Sequence, residues 1–140
     1  MDENTWLRWG KGFIDTSVSG ASTSSPSGYV VVQNACYGVE NSLKAVLTKG
    51  GVTWDHGQKG HDFDYLIGLI ESRGLANKAD CDKLLASATS VCLSGSNAQS
   101  WRYPDKDPMF FGSLPTTDIL NRANQAKNVY DICLSIVSAP

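Results

Sequence analysis

Few residues in this chain are suited to chemistry. Its two histidines, His56 and His61, carry rings that can take up or release a proton near neutral pH. Asp55 and Asp62 lie beside them, and imidazole with carboxylate is an ordinary zinc set. However, His56 sits on a glycine-flanked stretch, and its spacing to His61 is not that of two ligands on one helix face. No metal and no cofactor is expected. Arg102 is the other candidate. It stands between Trp101 and Tyr103, so a guanidinium able to grip phosphate in a bidentate manner has stacking faces on both sides. The plainer reading has Arg102 capping carboxylates of its own fold while Tyr103-Pro104 locks the entry to a following helix. For His61 the plainer reading is a helix-start residue whose ring bonds backbone or a neighbouring group.

The four cysteines, Cys36, Cys81, Cys92 and Cys133, form no C-x-x-C pair. They read as reduced structural thiols, with Cys36 and Cys133 inside apolar stripes. The chain of 140 residues carries a net charge of −2, and its lysines and arginines are scattered among acids. That gives no global signature of a dedicated nucleic-acid binder. An apolar share of 41% excludes an acidic disordered chain, and no apolar run approaches the roughly 18–20 residues a membrane span needs. The first residues, MDENTWLRWG, lack a basic stretch followed by an apolar one. A cytoplasmic protein with no membrane contact is expected.

These residues need elements to position them, and the periodicity is helical throughout. A first helix is expected from about Asn4 to Val18, with Trp6, Trp9 and Phe13 as its apolar stripe. Residues 19–28, SGASTSSPSG, read as a Ser-rich loop. Tyr29 to Lys49 is the strongest helix, with Tyr29, Val32, Cys36, Val39, Leu43 and Val46 as a narrow core-facing stripe and Glu40 and Lys44 as an i,i+4 pair. Gly50-Gly51 should stop it. After a loop to Gly60, a helix starting near His61-Asp62 buries Phe63, Leu66, Ile67 and Ile70. A fourth runs from Lys78 to about Leu93 with Leu84, Leu85, Ala88, Val91 and Cys92 on one side. Residues 100–115 are irregular because three prolines interrupt them; their Met109-Phe110-Phe111 suits a core plug or a dimer surface. Thr116 or Thr117 should cap a last helix with Ile119, Ala123, Ala126, Tyr130, Cys133 and Val137 inward. The expectation is one all-α domain over residues 1–140, an up-and-down bundle of four to five helices.

Three segments in order carry a family resemblance: Glu40-Asn41-Ser42-Leu43-Lys44-Ala45-Val46-Leu47, then His61-Asp62-Phe63, then Trp101-Arg102-Tyr103-Pro104-Asp105. Together they resemble the HEPN domain, whose second helix ends in an E-x-x-L-K-A-L-type stretch, followed by H-D-L and later R-Y-P-D. The likeness spans Trp6 to Val137. The chain departs from the pattern at Cys36-Tyr37-Gly38-Val39, where the family is often Gln-rich, and in its longer Ser-rich loop. Ribonucleases of the family carry an Arg-x4–6-His motif. Counting forward from Arg8, Arg73, Arg102 and Arg122 reaches Phe13-Ile14-Asp15, Lys78-Ala79-Asp80, Asp107-Pro108-Met109 and Lys127-Asn128-Val129. None is histidine.

The resemblance therefore implies a catalytically silent HEPN-like module acting through homodimerisation and binding of a partner, a nucleotide or RNA. Trp101, Arg102, Tyr103 and His61 are its candidate ligand-binding residues, and no residue is assigned as catalytic. The alternatives are an RNase toxin or defence enzyme with a non-standard site around Arg102 and His61, or a subunit paired with a minimal nucleotidyltransferase in a toxin–antitoxin couple.

Overall fold

Asp2 opens the fold by capping: its carboxylate accepts the backbone N–H of Thr5 at 2.7 Å, satisfying one of the donors a helix start leaves orphaned. The computed structural model describes residues 1–91 and 114–140. Their elements are α1 (Glu3–Ala21), α2 (Gly28–Lys49), a short 3₁₀ turn (Gln58–His61), α3 (Phe63–Ser72), α4 (Lys78–Val91) and α5 (Thr116–Ser138). Among the described residues there is no strand, and the architecture is the expected all-α bundle. None of the described helices is long and apolar enough to cross a membrane.

Helix ends follow local chemistry. Ser27 caps α2 and Asp62 caps α3, the latter accepting from the backbone N–H groups of Asp64 and Tyr65. α2 and α3 both end in Schellman turns. Gly51 and Gly74 take φ of 69° and 66°, and the Val52 and Leu75 N–H groups reach back to the Leu47 and Ile70 carbonyls. The expected threonine cap of the last helix is not found. Pro115 occupies the cap position without a side-chain bond, and its fixed extended geometry places Thr116 already inside the helix. Asp118 in the first turn is paired with Arg122 at 3.0 Å instead. The Ser-rich loop is also shorter than expected, because α1 continues to Ala21 and the connection covers only residues 22–27.

Two expected core faces need correction. α2 does not present a narrow stripe: every residue from Gly38 to Leu47 is buried, so α2 is a central helix with α1, α3, α4 and α5 packed around it. On α1 the buried face is Leu7, Gly10, Ile14, Ser17 and Ala21, whereas Trp9 of the expected stripe is 52% exposed. Close approach explains the choice. An added Cβ at Gly10 would lie 2.9 Å from Ser42 Oγ, and one at Gly38 would lie 2.3 Å from Ile14 Cγ1. Two helices that near each other have room for glycine and serine between them and none for tryptophan. Ser17 Oγ donates to the Val31 carbonyl at 2.8 Å inside this contact.

Smaller shifts follow the same logic. Val129 rather than Tyr130 is buried on α5, and on α4 Cys81 is buried while Leu85 is 41% exposed. Cys92 and the segment with Met109-Phe110-Phe111 lie outside the described residues. Cys36, Cys81 and Cys133 are buried, and burial pushes the Cys81 and Cys133 thiols up from their ordinary range. At the far end Lys49 Nζ donates to the carbonyls of Val137 and Ala139, each at 2.5 Å. This cation sits on the negative end of the α5 dipole and ties it to α2.

Two stability outcomes follow. Leu43→Ala should cost about 2–5 kcal/mol in urea unfolding, and a loss under about 0.5 kcal/mol would remove Leu43 from the core. Gly38→Ala should cost about 1–3 kcal/mol by overpacking. Combining it with Ile14→Ala should cost less than the sum of the two, since the shortened side chain vacates the space. Simple additivity would contradict the contact.

Candidate functional site

The site begins on the central helix. Glu40 and Lys44 are one helical turn apart, and both side chains are only 8% exposed. Lys44 Nζ donates to Glu40 Oε2 at 2.9 Å. Buried charges of this kind cost several kcal/mol of desolvation and persist only when their remaining bonding capacity is met. The second carboxylate oxygen, Oε1, lies 2.8 Å from His61 Nδ1. Because a carboxylate only accepts, Nδ1 carries the proton in this bond. One carboxylate thus holds an ammonium and an imidazole, joining α2 to the turn that feeds α3.

Aromatic rings close the cluster over the ammonium. Lys44 Nζ lies 5.5 Å from the Trp6 ring centroid and 5.4 Å from that of Trp54, within cation–π range of both faces. The two indoles meet edge to face, with centroids 5.8 Å apart and planes at 68°, the arrangement favoured by ring quadrupoles. Trp6 comes from α1 and Trp54 from the connection between α2 and α3.

That connection is held at several points. The Asp55 N–H donates to Tyr65 Oη at 3.1 Å, and the Gly57 N–H donates to Asp55 Oδ1 at 2.6 Å. Gly60 passes so near that an added Cβ would lie 1.9 Å from the Asp55 carbonyl oxygen, so only glycine fits the backbone as it stands. These contacts hold the connection, whose Trp54 and His61 both line a recess of about 200 Å³. Lys44, His56 and Trp6 are also in its wall, and the His56 ring lies 6.2 Å from that of Trp54. The arrangement can do two things chemically. It can present an imidazole oriented by a carboxylate, and it can offer a small aromatic-walled opening beside a buried ammonium.

Of the residues singled out from sequence, His61 lies in this cluster. Its ring bonds a neighbouring helix, as the plainer reading supposed. Trp101, Arg102 and Tyr103 lie outside the described residues. His56 and His61 share the recess wall, but among the described residues no group of three His, Cys, Asp or Glu side chains is placed to hold a metal ion. Sequence reasoning missed Trp6 and Trp54 as a pair, and with them the covering of Lys44. The available signal was weak: a tryptophan inside a polar, glycine-containing loop, where an indole has no reason to sit unless it packs back on the fold.

Removal of the shared carboxylate should be costly. Glu40→Ala leaves the Lys44 ammonium buried without its counter-charge, and should cost about 3–5 kcal/mol. Glu40→Met combined with Lys44→Met should cost less than Glu40→Ala alone, because no buried charge remains unbalanced. Equal losses in chemical denaturation would show that the pair is solvated.

No family model matches this chain, and neither does any curated protein or solved structure.

Proposed function

We propose that this chain is a HEPN-like helical module that acts by binding, as a homodimer, and not by cleaving RNA. The observation that carries the reading is the use made of Glu40, Lys44 and His61, residues of two of the segments on which the resemblance rests. They are joined to one another in a buried cluster that ties α2 to the entry of α3. Charge supports it: a net −2 gives a polyanion no general attraction, so a protein partner or a small ligand is favoured over an extended nucleic acid.

The Glu40–His61 bond favours one rival reading, a ribonuclease with a non-standard site, because a carboxylate on one imidazole nitrogen is a common way to orient a general base. Cleavage through a 2′-hydroxyl also needs a cation held where charge develops, and Lys44 is already engaged by Glu40 and by two indoles. The expected outcome is no cleavage of mixed single-stranded and structured RNA above background, with or without added divalent ions. Cleavage by the parent protein that disappears in a His61→Ala, Arg102→Ala double variant would overturn the binding reading in favour of the enzyme.

A further inference from the structure

We infer that the recess beside Lys44 is a binding site for one uncharged aromatic ring bearing a hydroxyl, phenol being the simplest such ligand. Its wall comes from a single chain, so the inference goes beyond the homodimer reading and does not need it. Four of the side chains that line the recess are rings: Trp6, Trp54, His56 and His61. Trp54 links two of them, with centroids 5.8 Å from Trp6 and 6.2 Å from His56. The interplanar angles are 68° and 57°, so neither neighbour lies flat on the Trp54 indole as a parallel stack would.

Size sets the scale of the ligand. A dry cavity of about 150 Å³ is enough for benzene, and the recess holds about 200 Å³. One six-membered ring with one small substituent fills it. Gly57 and Gly60, which are also in the wall, put no side chain in the way. Rings that meet at centroid distances of about 4.5–7 Å gain stabilisation beyond the area they bury. An aliphatic ligand of equal size forgoes that gain.

Charge argues against an ion of either sign. Lys44 and Asp55 both line the recess, so a cation and an anion would each meet a like charge. Nor is either group waiting for a counter-ion. Lys44 is held by Glu40 at 2.9 Å and by two indoles, and Asp55 Oδ1 accepts the Gly57 N–H at 2.6 Å. An ion would lose its water among groups already engaged, which is costly. A neutral ring meets neither penalty. Its hydroxyl is provided for by His56, an exposed residue of the wall whose imidazole can donate or accept a hydrogen bond.

The test is a titration of the ¹⁵N-labelled full chain with phenol, followed at the indole N–H signals. Phenol should shift the Trp6 and Trp54 signals saturably and leave the Trp9 signal in place. Benzoate, benzylammonium and cyclohexanol should each bind at least about tenfold more weakly, which separates charge and aromaticity as causes. His56→Ala should weaken phenol by about two- to tenfold, the loss of one ring contact. Trp54→Leu should do the same or more, with helical content and unfolding midpoint measured for both variants. Absence of a saturable shift at Trp6 and Trp54 overturns the site, and so does an equal shift at Trp9. Benzoate or benzylammonium binding as tightly as phenol overturns the uncharged ligand, and cyclohexanol doing so overturns the aromatic one. A folded His56→Ala variant with unchanged phenol affinity overturns the hydroxyl contact.

Discussion

The structure depends on burying a helix from all sides. Between Gly38 and Leu47 α2 has no solvent face, so each turn has to satisfy a neighbour. Where α1 crosses, the neighbour is backbone and the residues are small: Gly10 against Ser42, Ile14 against Gly38. Where the connection to α3 passes, the neighbours are Trp54 and His61, and the residues are Glu40 and Lys44. Two charges in such a position would unfold a helix that could not pair them. Here the ammonium has a carboxylate and two indole faces, and the carboxylate has an ammonium and an imidazole. The cluster therefore answers the same constraint as the glycines: a central helix must be met on every side by something that fits its size or its charge.

This also explains what could be read from the sequence. The five helices were legible because apolar residues recur at helical intervals, and Asp62 and Gly51 mark ends by chemistry local to the chain. The inward face of α1 was not legible. Counting apolar residues selects Trp6, Trp9 and Phe13, but the burying face is chosen by how near α2 comes, which depends on Gly38 and Ser42 in another segment. The all-round burial of α2 was hidden for a related reason. Its second face is made of Gly38, Asn41, Ser42 and Ala45, and such residues look neutral or polar until a neighbour is known to press on them.

The site was half legible. Glu40 and Lys44 stand at i,i+4 spacing in the favourable order, and on an exposed helix that pair contributes only about 0.2–0.5 kcal/mol. Nothing in the spacing shows that the same two residues lie in the interior, where removing one has far larger consequences. His61 was placed correctly at a helix start, yet its partner is on α2, and only the returning connection brings them together. That return rests on Gly60, whose lack of a side chain lets the backbone pass the Asp55 carbonyl. Substitution there would displace His61 and Trp54 together.

The tryptophans of α1 make the division of labour concrete. Trp6 and Trp9 are one turn apart and alike in chemistry, yet Trp6 lies half-buried against Trp54 and Lys44 while Trp9 projects into solvent. Position around the helix accounts for the difference. Trp6 flanks the face that meets α2, near enough to cover its ammonium, and Trp9 is rotated away from it. Burial gives an indole in the first place its worth through a cation that would otherwise be costly to desolvate. An indole in the second place leaves about half of its surface in water. The apolar area it leaves in water contributes nothing to stability until another surface covers it.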